Sequence, residues 1–401
     1  MRFTALIGLL VLLASVAGAQ EKGLSLEQAL ALAGDQHPVL EAARLNVVAA
    51  DEQAEQAGAW LNPGLFLKME DAPREGDAWN GSNRILGLSQ ELPYSGRVGA
   101  SRKVAEAQAG RVGHERDLMA NTVEAQVRAA FAFALHARDA LTIREEGVAV
   151  AQRLYDLTNE RVEAGDAPGV DRRRARMELG ATEADLGVAR IVEMDARVKL
   201  ATVMGVDVGT VTAVMGELES DAVVPDLDQL LIAMDAAPRN RIVGATVDVG
   251  AARVTEASRL RYPDLELEAG LRTAPGGDSF DAGVKIAVPI FDRGGARLSA
   301  ARAEAAAAEW NAQSSRREFE AAVRRAHAEL AVAVESAALY QDVVVPEATA
   351  ALRAAEAAYT AGDTDLTGIL QITRDWLDAR MLRLDLLLVE AQARSKLVEL
   401  L

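Results

Sequence analysis

The spacing of hydrophobic positions changes along this chain, and each change follows a proline. Residues 24–60 and 227–260 are rich in Ala, Glu, Gln and Leu at helical spacing. Pro38 and Pro238 mark a turn after a short first segment, and Pro63 and Pro263 end the stretch. Beyond Pro263 the period drops to two. Leu265, Leu267, Ala269 and Leu271 alternate with Glu266, Glu268, Gly270 and Arg272, and Phe280, Ala282, Val284, Ile286 and Val288 alternate with Asp281, Gly283, Lys285 and Ala287. This predicts two strands, each with one apolar and one polar face. In the first half Leu65, Leu67 and Met69 alternate less cleanly with Phe66, Lys68 and Glu70, while Gly87, Ser89 and Glu91 intersperse Leu86, Leu88 and Leu92. The linkers at 71–82 and 273–278 carry the Pro, Gly, Asp and Asn of exposed hairpin loops.

Each hairpin is followed by a long helical stretch. No proline interrupts residues 97–164, a length that at ~1.5 Å per residue reaches on the order of 100 Å. From Ala296 the next proline is Pro346. Between them Val323, Ala326, Leu330, Ala333, Ala337, Tyr340 and Val344 form a heptad seam, and Leu377, Met381, Leu384, Leu388 and Ala391 form another near the end. At Ala164-Gly165-Asp166 and Ala361-Gly362-Asp363 the pattern breaks and resumes, so each helix is expected to turn back there.

These signals recur in order, with a period of about 197 residues. The same 25 positions separate Pro38 from Pro63 and Pro238 from Pro263. Pro93 and Pro289 each precede a Gly-Ala pair by six, and the two Ala-Gly-Asp turns follow. The expected organisation is a leader at 1–19, a first repeat at 20–225 with its hairpin at about 63–92, and a second at 226–401 with its hairpin at about 263–290. The leader reading rests on Met1-Arg2, the apolar run at 5–14 and Ala17-Gly18-Ala19, a small-residue cleavage site. No later apolar run approaches the ~18 residues of a spanning helix.

Composition narrows the function. With 43 Lys and Arg against 60 Asp and Glu, the net charge of −17 excludes a nucleic-acid binder that needs a basic face. Frequent Ala with 4% aromatics favours closely packed long helices and speaks against an aromatic-lined pocket of a periplasmic binding protein. There is no Cys, hence no disulfide, thiolate nucleophile or Cys-ligated zinc. His37, His114, His136 and His327 lie far apart in sequence, and no phosphate loop is present. No enzyme, cofactor or metal site is expected.

For an exported chain, strands with one apolar and one polar face suit lipid on one side and water on the other, at about 9 to 11 residues each. Lys68, Glu70, Glu266, Glu268, Asp281 and Lys285 would then face the water-filled lumen, where Glu266, Glu268 and Asp281 would favour cations. Four strands cannot close, because barrels begin at about eight. Closure requires an oligomer. The alternative is a periplasmic coiled-coil adaptor or tether without a pore.

The order of helix, hairpin, long helix, Gly turn and long helix, given twice behind a leader, resembles the TolC-type outer-membrane efflux proteins. The residues that carry the resemblance are Leu26-Glu27-Gln28-Ala29-Leu30 with His37-Pro38, Leu88-Ser89-Gln90-Glu91-Leu92-Pro93 with Gly96-Arg97, and Tyr359-Thr360-Ala361-Gly362-Asp363 with Leu366 and Leu370. It covers residues 20–401 and is nearest to the branch paired with metal-cation exporters of the resistance-nodulation-division type. The resemblance implies a mainly α fold with a small β part. In a homotrimer, a coiled-coil α-helical barrel in the periplasm would continue into a twelve-stranded transmembrane β-barrel in outer-membrane lipid. It implies a passive exit duct served by a periplasmic adaptor and an inner-membrane pump. At the helical tip it implies a gate, onto which Tyr359, Gly362, Gly165 and Asp171 match in spacing. Thr364, Gly368 and Gln371 depart from the family's gate pattern, and Asp166, Asp363 and Asp365 are the acids that could supply an acidic tip instead.

Overall fold

The computed structural model describes residues 23–401 apart from 73, 74, 78, 80, 81, 221, 222 and 275; the expected leader at 1–19 lies outside the described residues. Nine α-helices and four strands are described. Helix α1 (Leu26–Gln36) opens on a capping box, in which the Ser25 hydroxyl accepts from the Gln28 N–H and the Gln28 side chain accepts from the Ser25 N–H. Pro38 starts α2 (Pro38–Ala57), where its missing N–H costs nothing. Strands β1 (Gly64–Glu70) and β2 (Asn83–Leu92) form the first hairpin, then α3 (Arg97–Ala164) runs 68 residues without interruption. Helix α4 (Gly169–Met204) follows and ends on Gly205 at φ +71°. The chain continues with α5 (Leu227–Ala236), α6 (Pro238–Arg259), β3 (Leu265–Ala274), β4 (Gly277–Ile286), α7 (Gly295–Leu339), α8 (Val345–Ala361) and α9 (Leu366–Leu400).

Two compact units are distinguishable. One comprises residues 42–117 and 235–319 and contains the sheet. Its strands lie in the order β1-β2-β3-β4, all antiparallel, with the hairpins joined through β2 and β3 from Arg84↔Thr273 to Leu92↔Leu265. The other comprises the remaining segments and holds the larger core, where Val127, Leu179, Leu200, Met204, Val323, Leu330, Leu366 and Ile369 are almost fully buried. Among the described residues no helix is long and apolar enough to cross a membrane.

Two sequence expectations are corrected. The seam on α7 holds from Val323 to Ala337, but Tyr340 and Val344 fall in a wide π turn, Tyr340–Val344, between α7 and α8. Pro346 has no N–H to donate, and the Val345 N–H bonds five residues back to Tyr340 O, which shifts the phase of the apolar stripe. Strand β4 ends at Ile286, so Val288 does not belong to it. Pro289 could not have extended the ladder, and the Ile290 N–H turns back to Val288 O at 2.9 Å.

Candidate functional sites on the sheet and at the helical turns

Pairing register sorts most of the sheet residues onto an apolar and a polar face, with Arg84, Gln90 and Asp278 towards the strand ends of the apolar one. One face carries Leu65, Leu67, Met69, Leu86, Leu88, Leu267, Leu271, Phe280, Val284 and Ile286, all exposed: Leu65 to 74%, Leu271 and Phe280 to 68%, Val284 to 65%. Burying such side chains is worth ~1.5–3 kcal/mol each, so this face left in water would forgo on the order of 20 kcal/mol. Water is therefore not its natural surrounding. Strands β2, β3 and β4 have 10 residues each, which at ~3.3 Å per residue and a tilt of about 45° matches the ~25 Å height of a lipid-facing band. Exposed aromatics flank the strands: Trp60, Tyr94, Tyr262 and Phe291 beside the helical ends, and Trp79 in the opposite loop under the Arg84 guanidinium at 4.7 Å. That is the distribution of side chains that prefer the membrane–water interface.

The opposite face is polar and internally paired. The six residues expected there from alternation all lie on it, with Arg272, which alternation placed on this face without giving it a role. Lys68 Nζ lies 2.6 Å from Glu268, Lys285 Nζ 2.9 Å from Glu266, and Arg272 contacts both Asp281 at 2.8 Å and Glu70 at 3.1 Å. Glu266, Glu268 and Asp281 thus each have a cationic partner, which offsets the cation preference read from the acids alone. Phe66, the residue that spoiled the alternation in β1, is accommodated by Gly87, which pairs with Gly270. A Cβ on Gly87 would stand 2.6 Å from the Phe66 ring and 2.9 Å from the Gly270 Cα. The Lys68 ammonium sits 4.5 Å from the centre of the same ring.

The two helical turns belong to the other unit. Helix α3 ends as Gly165 adopts φ +86° and the Asp166 N–H reaches back to Arg161 O at 2.8 Å. At the second turn Gly362 adopts φ +83°, the Asp363 N–H bonds Ala358 O at 2.8 Å, and the Asp365 carboxylate caps α9 by accepting from the Gly368 N–H at 2.9 Å. Tyr359 is 2% exposed. Its hydroxyl lies 2.9 Å from Thr158 Oγ1 on α3; because the Thr158 proton is committed to Leu154 O at 2.6 Å, the tyrosine is the donor. Arg161 donates to Tyr359 O at 2.8 Å with its guanidinium 4.8 Å from the ring centre. Thr158 and Arg161 carried no sequence signal, since their partners lie about two hundred positions away.

Of the expected tip acids, Asp166, Asp363 and Asp365 are exposed and Asp171 is half-buried in the first turn of α4. Among the described residues no group of acids and histidines could hold a metal ion. Beyond the turns, Arg374 on α9 grips Glu178 on α4, and the hydrogen bond and charge of that carboxylate raise the guanidinium's proton affinity further.

The family model described as outer membrane efflux protein matches residues 29–206 and 242–401. The chain belongs to the outer membrane efflux protein family. This efflux protein is 26% identical over 387 residues to the cobalt-zinc-cadmium resistance protein CzcC of Cupriavidus metallidurans, covering 94% of this chain and 90% of the relative. Its fold is similar to a membrane protein from Pseudomonas aeruginosa (TM-score 0.80, 19% identity, 94% and 93% of the two chains covered). It also resembles the open state of the Neisseria gonorrhoeae MtrE outer membrane channel (TM-score 0.77, 19% identity, 94% and 88% covered). The efflux protein is thus an outer-membrane channel with its helical part in the periplasm, a passive duct and not an enzyme.

Proposed function

We propose that three copies of this chain close their sheets into a barrel of twelve strands, four from each, and that the paired polar face lines its lumen. The observation that carries this reading is the exposed apolar face, bounded by aromatics and backed by a face of ion pairs. The open edges at β1 and β4 support it, since an unpaired strand in lipid must find a partner. The duct would take substrate from an inner-membrane pump of the resistance-nodulation-division type through a periplasmic adaptor. Divalent transition-metal cations are the proposed cargo, supported by the name of the relative CzcC. The duplication into 20–225 and 226–401 is supported by the recurring element order and by the two separate stretches that the family model matches.

The helical turns are the proposed gate. Gly165 and Gly362 permit the reversals, Tyr359 latches α8 to α3, and Asp166, Asp171, Asp363 and Asp365 give the tip its acidic character. Membrane fractionation followed by the mass of the detergent-purified particle tests the assembly. An outer-membrane particle of three chains that conducts ions in a planar bilayer is the expected result. A soluble monomer, or a membrane particle without conductance, would overturn it.

A further inference from the structure

On the polar face of the sheet, every strand carboxylate among the described residues has a cationic partner, but the partners are unequally shared. Lys68 serves Glu268 and Lys285 serves Glu266, while Arg97, at the start of α3, reaches Glu91 at 2.5 Å. Arg97 also pairs with Asp264 just ahead of β3, and of the polar-face strand cations among the described residues it is Arg272 whose guanidinium serves two acids. Its Nε and Nη2 donate to Asp281 Oδ2 at 2.8 Å, and its Nη1 stands 3.1 Å from Glu70 Oε2. Asp281 is on β4 and Glu70 on β1, so this side chain ties the second hairpin to the first. The planar, multidentate fork of arginine allows it; an ammonium is a point charge and would not span both acids in fixed geometry. The Arg272 side chain is also the least exposed of the three strand cations on the polar face, at 26% against 45% for Lys68 and 70% for Lys285.

We propose that Arg272 is the residue that determines ion selectivity in the strand section of the duct, an inference that rests on the polar face lining the lumen. In a chain of net charge −17, a wide pore is expected to concentrate cations. Arg272 weakens that rule in the strand section by pairing with two carboxylates at once, so that the three groups together carry one negative charge instead of two. Without it, Glu70 and Asp281 stand uncompensated side by side in each chain. Repeated around a closed barrel they form an acidic ring, the usual construction of a cation filter. With Arg272 in place the ring is broken and the strand section's preference for cations stays weak, so that most charge discrimination falls to the helical section or to the pump.

Reversal potentials of the full chain in planar bilayers under a KCl gradient test this. Arg272→Gln is expected to raise the ratio of K⁺ to Cl⁻ permeability about threefold near 0.1 M salt, fading towards 1 M as the Debye length shrinks from ~10 to ~3 Å. The Glu70→Gln/Asp281→Asn double variant leaves the guanidinium unpaired and is expected to shift the ratio the other way, which keeps the test available if Arg272→Gln fails to assemble. Arg272→Lys retains the charge and is expected to stay near the parent value. A conducting Arg272→Gln channel with the parent's ratio at low salt would overturn the role of Arg272 and leave the duct reading intact, as would a double variant with no shift. A parent chain that forms no pore would overturn the duct reading beneath it.

Discussion

The sheet and the helical turns solve the problem of order in opposite ways. At the turns the decisive contacts are complete within one chain. Tyr359 is buried, its hydroxyl is satisfied by Thr158, its ring is covered by Arg161, and the backbone reversals are closed by their own hydrogen bonds. In the sheet only half the contacts are complete: the polar face is stitched by ion pairs, while the apolar face is exposed and both edges are open. The turns are therefore closed within one chain, whereas the sheet leaves an apolar face and two strand edges that the proposed assembly in lipid would complete. The region whose contacts are self-contained is the one suited to act as a latch.

The largest expected effect cuts at the turns. Tyr359→Ala removes a buried aromatic and is expected to cost ~3–5 kcal/mol of local stability. Amide hydrogen exchange around residues 354–366 would report it as faster opening, while particle mass stays unchanged. If exchange were unaltered, the contrast between a self-contained tip and an incomplete sheet would fail.

Next comes a paired test on β4. Phe280 and Ser279 are adjacent but lie on opposite faces, opposite Leu271 and Arg272 respectively. Phe280→Arg puts a cation on the apolar face and is expected to cost ~2–4 kcal/mol if that face meets lipid. Ser279→Arg, on the polar face, is expected to cost much less. The amount of heat-resistant assembled particle in the outer membrane is the readout. Equal losses would contradict the two-faced reading. Gly87→Val is expected to be intermediate, ~1–3 kcal/mol, because its Cβ would stand 2.5 Å from Ala269 O, and backbone rather than a flexible side-chain end must yield.

These tests separate what the sequence could disclose from what it could not. Prolines at 38, 63, 238 and 263 and glycines at 165 and 362 act on the backbone locally, so element order and both helical reversals were legible. Alternation in β3 and β4 assigned residues to faces without reference to partners. What escaped was whatever depends on distant partners or on phase. The Arg272 bridge needs the register of all four strands, and Thr158 meets Tyr359 only once α3 and α8 pack. The π turn arises because Pro346 perturbs hydrogen bonding upstream of itself, so a heptad count carried towards it runs out of phase after Ala337. The aromatic girdle was hidden by a composition of only 4%, since few rings suffice when they gather at strand ends.

The smallest expected effect is also the sharpest probe of the latch. Tyr359→Phe keeps the ring packed under Arg161 and deletes only the hydroxyl, which leaves Thr158 Oγ1 without its donor; a loss of ~1 kcal/mol is expected. Thr158→Val is expected to cost more, because it strands a buried phenol hydroxyl and removes the bond to Leu154 O as well. In the double variant both ends of the Tyr–Thr bond are apolar, so the losses should combine to less than additive by about 1 kcal/mol. Additive losses, measured by the same exchange experiment, would mean that the 2.9 Å contact contributes nothing. The latch would then rest on ring burial and Arg161 alone.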